Sequence, residues 1–504
     1  MHKTALIIAL LSLLSAFFFN EVNISYLKKD GVPLRANQTV ITADDVSYLR
    51  PAQNYLETGE LRNNMIGNGA YFLRPPGYST FYICLGSFLG HQQTLMTLKY
   101  VQLILFGLSV YCLFFIAFGF IKAKNISILI TSIYGISGIA FNFIFYTLTE
   151  AVTPALVIFF VYFLIQAKSE KQQKKKLINY YTSALIFCFL FITRPVLGIL
   201  GLAFPFFIFA DFWKVRQQFI LHLFLIGIVA SSGMILWQVR NYNISNTIVG
   251  LNPIYYPENN QSSFRPTHEA LWDLCKGWGE IGANFHSYVG PFWSSAINGK
   301  TDKEEIEKII QHIPLEVVQA LGRDKFEKMF KSYQQSILYQ KEFKERKLAM
   351  PKEIPAIEQQ TIHQIEALTE EFKHEFWFQY YISSPLKVFK ELAFHSNLSL
   401  YIFQKTFRGN FFMEALRIFT FSIHVFAFIV LFISPFYKKE WVLKSIFSFA
   451  PLLYVLFLIF VQRGIEERYS LPILPLVLVS FGYLLMLLNT FIKQKLKTQQ
   501  NAIT

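Results

Sequence analysis

Charged residues and cysteines are both scarce in this chain. Only 16% of its 504 residues are charged, whereas 53% are hydrophobic. Several apolar runs approach the roughly 20 residues that a helix needs to cross a bilayer, which predicts a polytopic membrane protein. The cysteines exclude a disulfide framework or a CxxC metal site, since at least two lie inside apolar runs. They are Cys84, Cys112, Cys188 and Cys275.

Several motifs that would indicate other functions are also missing. No glycine-rich phosphate loop and no DxD motif occurs in a segment predicted to be cytoplasmic, so no nucleotide-sugar site is expected. The histidines show no HExxH or other paired spacing. The sequence has no internal repeat, whereas many transporters are built on such repeats.

The positive charge is unevenly distributed along the chain. The net charge is +14, but the lysines cluster in short loops between apolar runs, where they set membrane orientation. Nucleic acid is therefore not predicted as a partner, and residues 168–176 and both termini are predicted to be cytoplasmic. Residues 4–19 resemble a signal peptide, but no small-residue cleavage site follows, which predicts an uncleaved first span.

The apolar runs predict an all-α protein with about ten transmembrane helices. The run at 77–90 is short and opens with Pro-Pro-Gly, so it is predicted to be a surface or re-entrant helix. A membrane module at 1–240 is expected to precede a large extracytoplasmic helical region at 241–410 and C-terminal spans within 411–504. The predicted spans are 4–19, 97–121, 126–147, 151–166, 178–193, 196–210, 219–237, 412–434, 443–461 and 470–491.

Unusual polar residues gather at the predicted outer ends of these spans. The first outer loop, residues 42–78, begins with adjacent acids, contains short amphipathic runs and closes with Arg-Pro-Pro-Gly-Tyr. Acids and an arginine held at a bilayer surface by aromatic, amphipathic helices indicate a site for a polar group on a lipid. The other polar residues at outer ends are Glu150, Arg194, Arg240, Glu466, Glu467 and Arg468.

Six short motifs follow one another along the chain. They are Asp44-Asp45-Val46-Ser47-Tyr48, Arg74-Pro75-Pro76-Gly77-Tyr78, Glu150 at the start of the fourth span, Thr193-Arg194-Pro195, Trp237-x-x-Arg240-Asn241-Tyr242 and Glu467-Arg468-Tyr469-x-x-Pro472. In order and spacing they resemble the GT-C fold polyprenol-phosphate-sugar glycosyltransferases, which include protein O-mannosyltransferases and the bacterial enzyme that adds aminoarabinose to lipid A. The resemblance covers roughly residues 1–250 and the last pair of spans, whereas 260–410 resembles no family we can name.

The resemblance places the catalytic acid at Asp44, which would accept a proton from the attacking acceptor. Asp45 would then orient that acceptor. The residues alone also allow a structural role for each: Asp44 fits the N-cap of a helix that begins near Val46, and Asp45 fits a first-turn acid.

Three arginines are predicted to bind the donor phosphate: Arg74, Arg194 and Arg240. Guanidinium groups suit phosphate, and they would offset charge on the leaving group as the glycosidic bond breaks. The alternative for Arg74 is an interfacial side chain that snorkels to lipid headgroups. Arg194 and Arg240 could instead anchor their helices. The residues expected to support the site are Tyr48, Tyr78, Glu150 and Arg468.

Metal dependence is left open by the resemblance. In the aminoarabinose enzyme an acid that helps to bind metal precedes the basic residue of the first loop, and here that place is taken by Leu73. A divalent metal ion is therefore in doubt, and no other cofactor is implied.

The predicted function is glycosyl transfer at a bacterial inner membrane. The enzyme would move a sugar from a polyprenyl-phosphate donor to an extracytoplasmic acceptor, which could be a protein, a lipid or a cell-envelope glycan. One rival is a lipid or polysaccharide transporter or flippase, which should show repeats, broken helices and acids at mid-membrane. Another is a non-catalytic envelope scaffold that binds a partner through 238–410.

Overall fold

The computed structural model is helical throughout the residues it describes. These are residues 1–29, 31, 34–35, 41–42, 44–62, 74–246, 248, 265–346, 353–394, 411–463 and 467–503. Over these ranges the chain forms 21 α-helices with short 3-10 and π-helical segments between them. The predicted all-α class is confirmed.

Eight helical segments in the described ranges are long and apolar enough to cross a membrane. A ninth forms if α5 (Lys124–Gly135) and α6 (Gly138–Asn142) are counted as one bent span. The tenth predicted span is α7 (Thr153–Ser169), whose 17 residues are at the lower limit for crossing. The polytopic membrane architecture is thus confirmed. The eight segments are α1 (His2–Lys29), α4 (His91–Ile121), α8 (Gln173–Thr193), Pro195–Phe212 with α9 (Ala203–Phe212), α10 (Arg216–Ser245), α18 (Phe411–Leu431), Trp441–Gln462 with α19 (Trp441–Lys444) and α20 (Ala450–Leu456), and α21 (Leu474–Ile503).

The span predicted at 126–147 is not one continuous helix. α5 and α6 meet at a bend of 51°. At the break, Ser137 Oγ lies 3.2 Å from Nε2 of His424 on α18. Gly135 and Gly138 flank the break, where a residue without Cβ leaves the backbone free to change direction. The expectation of an unbroken helix was wrong because hydropathy measures how apolar a run is and carries no information about its backbone angles.

The membrane bundle is organised around α4, which packs against α1, α5, α7 and α21. At the end of the bundle where α4 finishes, Lys439 Nζ donates to the carbonyl oxygen of Phe120 at 2.7 Å, and Lys168 pairs with Glu440 at 3.7 Å. We call this the lysine end. The opposite end, where α4 begins at His91, carries the candidate site, and we call it the site end.

Two short helices, α2 (Val46–Thr58) and α3 (Gly77–Gly86), pack together at the site end. α3 has ten residues, so it is about 15 Å long, half of the roughly 30 Å hydrocarbon thickness. This length agrees with the predicted surface or re-entrant helix. α2 is amphipathic and buries one face, which includes Leu49 and Ala52. Residues 63–73, including Leu73, lie outside the described residues.

A second helical unit follows α10 and has its own hydrophobic core. Arg265 and Glu358 form a buried ion pair inside it, and Thr267 Oγ1 donates to Glu358 Oε1 at 2.9 Å. The predicted boundaries of 241–410 stay a prediction, since 249–264 and 395–410 lie outside the described residues. The helices here are α11 (Pro266–Cys275), α12 (Glu280–Ile297), α13 (Lys303–Ile310), α14 (Leu315–Leu321), α15 (Arg323–Glu345) and α16 (Ala356–Glu375). The next helix, α17 (Ser384–Phe394), instead buries Val388, Leu392 and Ala393 in the core of the membrane bundle.

Candidate active site

Five charged side chains from separate parts of the chain meet at the site end. Arg468 Nη2 donates to Asp44 Oδ2 at 2.6 Å, and Arg74 Nη2 lies 3.5 Å from Asp44 Oδ1. Arg194 Nη1 donates to Glu150 Oε1 at 2.7 Å, and Arg468 Nε lies 3.5 Å from the same oxygen. Arg468 therefore links the two carboxylates. We call these five residues the carboxylate–arginine cluster.

Each member of the cluster lies beside a helix end, as the sequence motifs predicted. Glu150 is in a single 3-10 turn, Thr149–Ala151, that leads into α7. Arg194 ends α8 in an extended conformation, because the following Pro195 disfavours helical angles at the preceding residue. Arg468 lies in a 3-10 turn before α21. The cluster is therefore assembled from helix ends and not from the middle of a span.

Asp44 does not cap α2, although its position in the sequence allowed this. The N-cap position of α2 is occupied by Asp45, which makes no side-chain capping hydrogen bond. The carboxylate of Asp44 instead faces Arg468 and Arg74. The N-cap alternative for Asp44 is therefore wrong, because two guanidinium groups compete better for a carboxylate than backbone amides do.

Asp45 lies next to Asp44 in sequence but has different partners. It is fully buried, and Arg35 Nη2 and the backbone nitrogen of Thr42 both donate to its Oδ2, the latter at 2.8 Å. Arg35 also donates to Thr147 Oγ1 at 3.3 Å. Sequence reasoning missed Arg35, which lies before the first outer loop and belongs to none of the motifs. Asp45 stays a predicted acceptor-orienting residue.

Close packing of α3 against α8 fixes the position of Arg74 relative to Arg194. A Cβ added to Gly77 would lie 2.4 Å from the backbone nitrogen of Thr193. No larger residue fits without moving that backbone. The glycine of the Arg-Pro-Pro-Gly-Tyr motif therefore allows the close approach, and it brings the two arginine-bearing segments to one end of the bundle.

Aromatic side chains pack against the cluster. The guanidinium of Arg74 lies 5.2 Å from the centre of the Tyr48 ring, and Tyr48 packs edge-on against Tyr78 at 5.6 Å. The hydroxyl of Tyr78 donates to Gln102 Oε1 of α4 at 2.7 Å. Burial raises the pKa of both tyrosines, so they stay neutral. The predicted supporting role of Tyr48 and Tyr78 has a physical basis in these contacts.

The cluster has a buried half and an exposed half. The Glu150 side chain is 4% exposed, whereas those of Asp44 and Arg74 are 38% and 40% exposed. Burial opposes ionisation of Glu150, but Arg194 and Arg468 outweigh it, so the pKa of Glu150 is lowered and the carboxyl stays ionised. Three guanidinium groups then face two carboxylates, an excess of positive charge suited to an anion.

Arg240 is engaged elsewhere at the end of α10. Its Nη2 donates to the carbonyl oxygen of Leu61 at 2.6 Å, its Nη1 donates to Asn241 Oδ1 at 2.9 Å, and its guanidinium lies 4.7 Å from the Trp237 ring centre. These contacts tie α10 to the first loop. They fit the anchoring alternative, and a phosphate-binding role for Arg240 stays a prediction.

Metal binding at the cluster would need several ligand side chains close together. Within the described ranges, no group of three or more His, Cys, Asp or Glu side chains is arranged to hold a metal ion. Both oxygens of Asp44 already face guanidinium groups. The described residues therefore do not fit a divalent metal ion.

Comparison with known proteins finds only weak structural similarity. No family model and no curated protein matches the chain. Two solved structures align with it: ArnT from Cupriavidus metallidurans in the apo state (11% identity, TM-score 0.33) and bound to undecaprenyl phosphate (10% identity, TM-score 0.35). Each alignment covers 94% of this chain, and 76% and 77% of the respective ArnT chains. Similarity of this degree carries no functional argument.

Proposed function

We propose that the protein is a membrane glycosyltransferase that moves a sugar from a polyprenyl-phosphate donor to an acceptor outside the cytoplasm. The observation that carries this proposal is the carboxylate–arginine cluster. It combines an accessible carboxylate, an accessible arginine and an excess of positive charge at one end of a membrane bundle. These groups would lie at the membrane surface, which is also where the phosphate of a lipid lies.

Arg74 is the donor ligand in this proposal. Its contact with Asp44 is loose at 3.5 Å and largely exposed, and exposed ion pairs contribute little stability. The guanidinium can therefore turn from Asp44 to a phosphate, where charge-assisted, bidentate hydrogen bonds are stronger. Arg194 and Arg468 remain behind it and add to the positive potential that the phosphate meets.

The same movement frees the catalytic base. Once Arg74 binds phosphate, Asp44 Oδ1 loses its 3.5 Å contact with Arg74, while Oδ2 stays with Arg468. The acceptor hydroxyl or amine attacks the anomeric carbon and gives its proton to Asp44. The bond between that carbon and the phosphate oxygen breaks, and its electron pair leaves with the polyprenyl phosphate. Arg74 offsets the charge that develops there.

The site end faces away from the cytoplasm in this proposal, and the membrane is the bacterial inner membrane. Lys122, Lys124, Lys168 and Lys439 gather at the lysine end, and such residues remain on the cytoplasmic side. Both termini would then be cytoplasmic. The donor would enter sideways from the outer leaflet.

The transporter alternative gains one feature, the bend between α5 and α6. Broken helices in transporters carry their binding groups at the break, near the middle of the membrane. Here the ionised groups that converge lie at helix ends, and the break holds a Ser137–His424 contact. Glycosyl transfer therefore remains the better account.

The proposal is tested by removing the protein from its own cell and profiling lipids. A polyprenyl-phosphate sugar should accumulate, and it should return to its former level when the parent gene is restored but not when Asp44→Asn is supplied. An unchanged set of lipid-linked sugars after removal would contradict the proposed function.

A further inference from the structure

A polar cleft adjoins the carboxylate–arginine cluster through Asp45. Its volume is about 140 Å³. Its polar lining comes from Arg35, from the first loop, from α2 and from the start of α4. None of these side chains except Asp45 has a role in the proposed transfer. The polar residues are Arg35, Asp45, Arg50, Gln53 and His91.

Asp45 brings an unused acceptor to this cleft. The residue is fully buried, and while Oδ2 is held by Arg35 and Thr42, Oδ1 has no hydrogen-bond partner among the residues that the structure describes. A buried carboxylate oxygen without a donor is unfavourable, and nearly all such atoms in folded proteins have one. A ligand hydroxyl in the cleft would supply it.

His91 brings an unused donor. Gln53 Nε2 lies 3.0 Å from His91 Nδ1, and an amide NH2 group can only donate. The Tyr82 hydroxyl also contacts Nδ1, at 2.5 Å, so both contacts engage this nitrogen and Nε2 can donate to a ligand. His91 is also the first residue of α4, so the positive end of that helix dipole adds to the attraction for an anion.

Arg50 gives the cleft its positive charge. The charge of Arg35 is balanced by Asp45, whereas no ion pair engages Arg50 within the described residues. Arg50 is exposed on α2, one turn after Val46, so it can reach a ligand without breaking a contact of the fold. Arginine with a neighbouring imidazole donor is a combination suited to phosphate.

We propose that this cleft binds a phosphate group that carries a neighbouring hydroxyl, as in glycerol phosphate, and that this group belongs to the acceptor. The phosphate lies against Arg50 and His91, and the hydroxyl donates to Asp45 Oδ1. That the bound group is an acceptor rests on the proposed function, whereas phosphate binding in the cleft does not. The group can come from a soluble metabolite or from an anionic lipid headgroup.

The test uses the full-length protein in phosphatidylcholine nanodiscs and titrates it with glycerol 3-phosphate by calorimetry. Saturable binding is expected, and n-propyl phosphate, which lacks the hydroxyls, should bind about fivefold to tenfold more weakly. Arg50→Gln should weaken glycerol 3-phosphate binding about tenfold, and Arg50→Lys should recover part of it. Arg62→Gln is the control, since Arg62 pairs with Glu60 in the same loop.

The outcomes separate the ligand sources and the two proposals. Competition by phosphatidylglycerol in the nanodisc identifies a headgroup, and its absence identifies a soluble ligand. No saturable binding, equal loss in Arg50→Gln and Arg62→Gln, or equal binding of propyl phosphate would overturn the inference. Polyprenyl-phosphate binding should be unchanged in Arg50→Gln. If the parent binds glycerol 3-phosphate through Arg50 but never binds polyprenyl phosphate, the proposed function fails while the cleft stands.

Discussion

Asp44 is the residue on which the chemistry depends most. It is accessible and not engaged in a helix cap. Asp44→Asn keeps the shape and one acceptor oxygen for Arg468 but loses basicity, so turnover should fall by about 100-fold or more. Product formation by the purified variant measures this, with a melting curve to show that the protein is folded. Glu60→Gln, an exposed acid of the same loop, is the control. Near-normal turnover in Asp44→Asn would return this residue to a structural role.

Glu150 should make stability depend on pH in the acidic range. Its pKa is lowered in the folded state because Arg194 and Arg468 outweigh the effect of burial. Its contribution is therefore fully present above the ordinary carboxyl pKa of about 4.3, and it is lost as pH falls through the lower folded value. Glu150→Gln should make stability depend less on pH in this acidic range, which we call the acid limb. It should also destabilise the protein at neutral pH by about 3–5 kcal/mol, since buried arginines lose their partner.

Melting temperatures of parent and variant between pH 3 and pH 8 measure both effects. Glu60→Gln again provides the control, because Glu60 pairs with Arg62 on the surface. An identical acid limb in parent and Glu150→Gln would show that other carboxyl groups determine it.

Gly77 shows how one contact between elements governs the site. A methyl group there would meet the Thr193 backbone at 2.4 Å, so Gly77→Ala should separate α3 from α8 and displace Arg74 from Arg194. Turnover and donor affinity should both fall. Gly227→Ala is the matched control, because a Cβ at Gly227 would have no atom within 4 Å. Equal behaviour of the two variants in a donor-binding assay would mean that the α3–α8 contact does not position the site.

The elements were largely predictable from the sequence, but their irregularities were not. Apolar runs located the spans, and Pro-Pro-Gly marked α3 as a separate short helix. The bend between α5 and α6 escaped prediction because it lies inside an apolar run. The motifs predicted that Asp44, Arg74, Glu150 and Arg194 lie at helix ends, and their roles stay a prediction. Arg35 belongs to no motif and joins Asp45 through folding alone.

At the scale of the whole molecule, the second helical unit contacts the helical segment that ends just before Arg463. Arg463 lies 3.9 Å from the ring centre of Tyr380, and Lys276 Nζ donates to the carbonyl oxygen of Val461 at 3.4 Å. Arg463 is nearly buried, with a left-handed φ of 55° that only surrounding contacts would maintain. Arg463 lies five residues before Arg468 of the cluster in the sequence.

Breaking the contact between Tyr380 and Arg463 should loosen the segment that carries Arg463, and it removes no residue of the cluster. Tyr380→Leu removes the ring face that holds Arg463, whereas Tyr380→Phe keeps it. Amide hydrogen exchange over 457–470 should speed up in the leucine variant, with a fall in turnover, and should match the parent in the phenylalanine variant. Unchanged exchange in Tyr380→Leu would show that the second unit does not support the site.

The most direct test of the central claim is polyprenyl-phosphate binding by the intact protein in nanodiscs, with Arg74 varied. Loss of a charged partner in a partly desolvated site costs on the order of 2–4 kcal/mol, so Arg74→Ala should bind roughly 30-fold more weakly or worse. Arg74→Lys should recover part of the affinity, since the charge returns without the planar fork. Arg62→Gln should bind like the parent. Unchanged affinity in Arg74→Ala would contradict the account and leave Arg74 as an interfacial side chain.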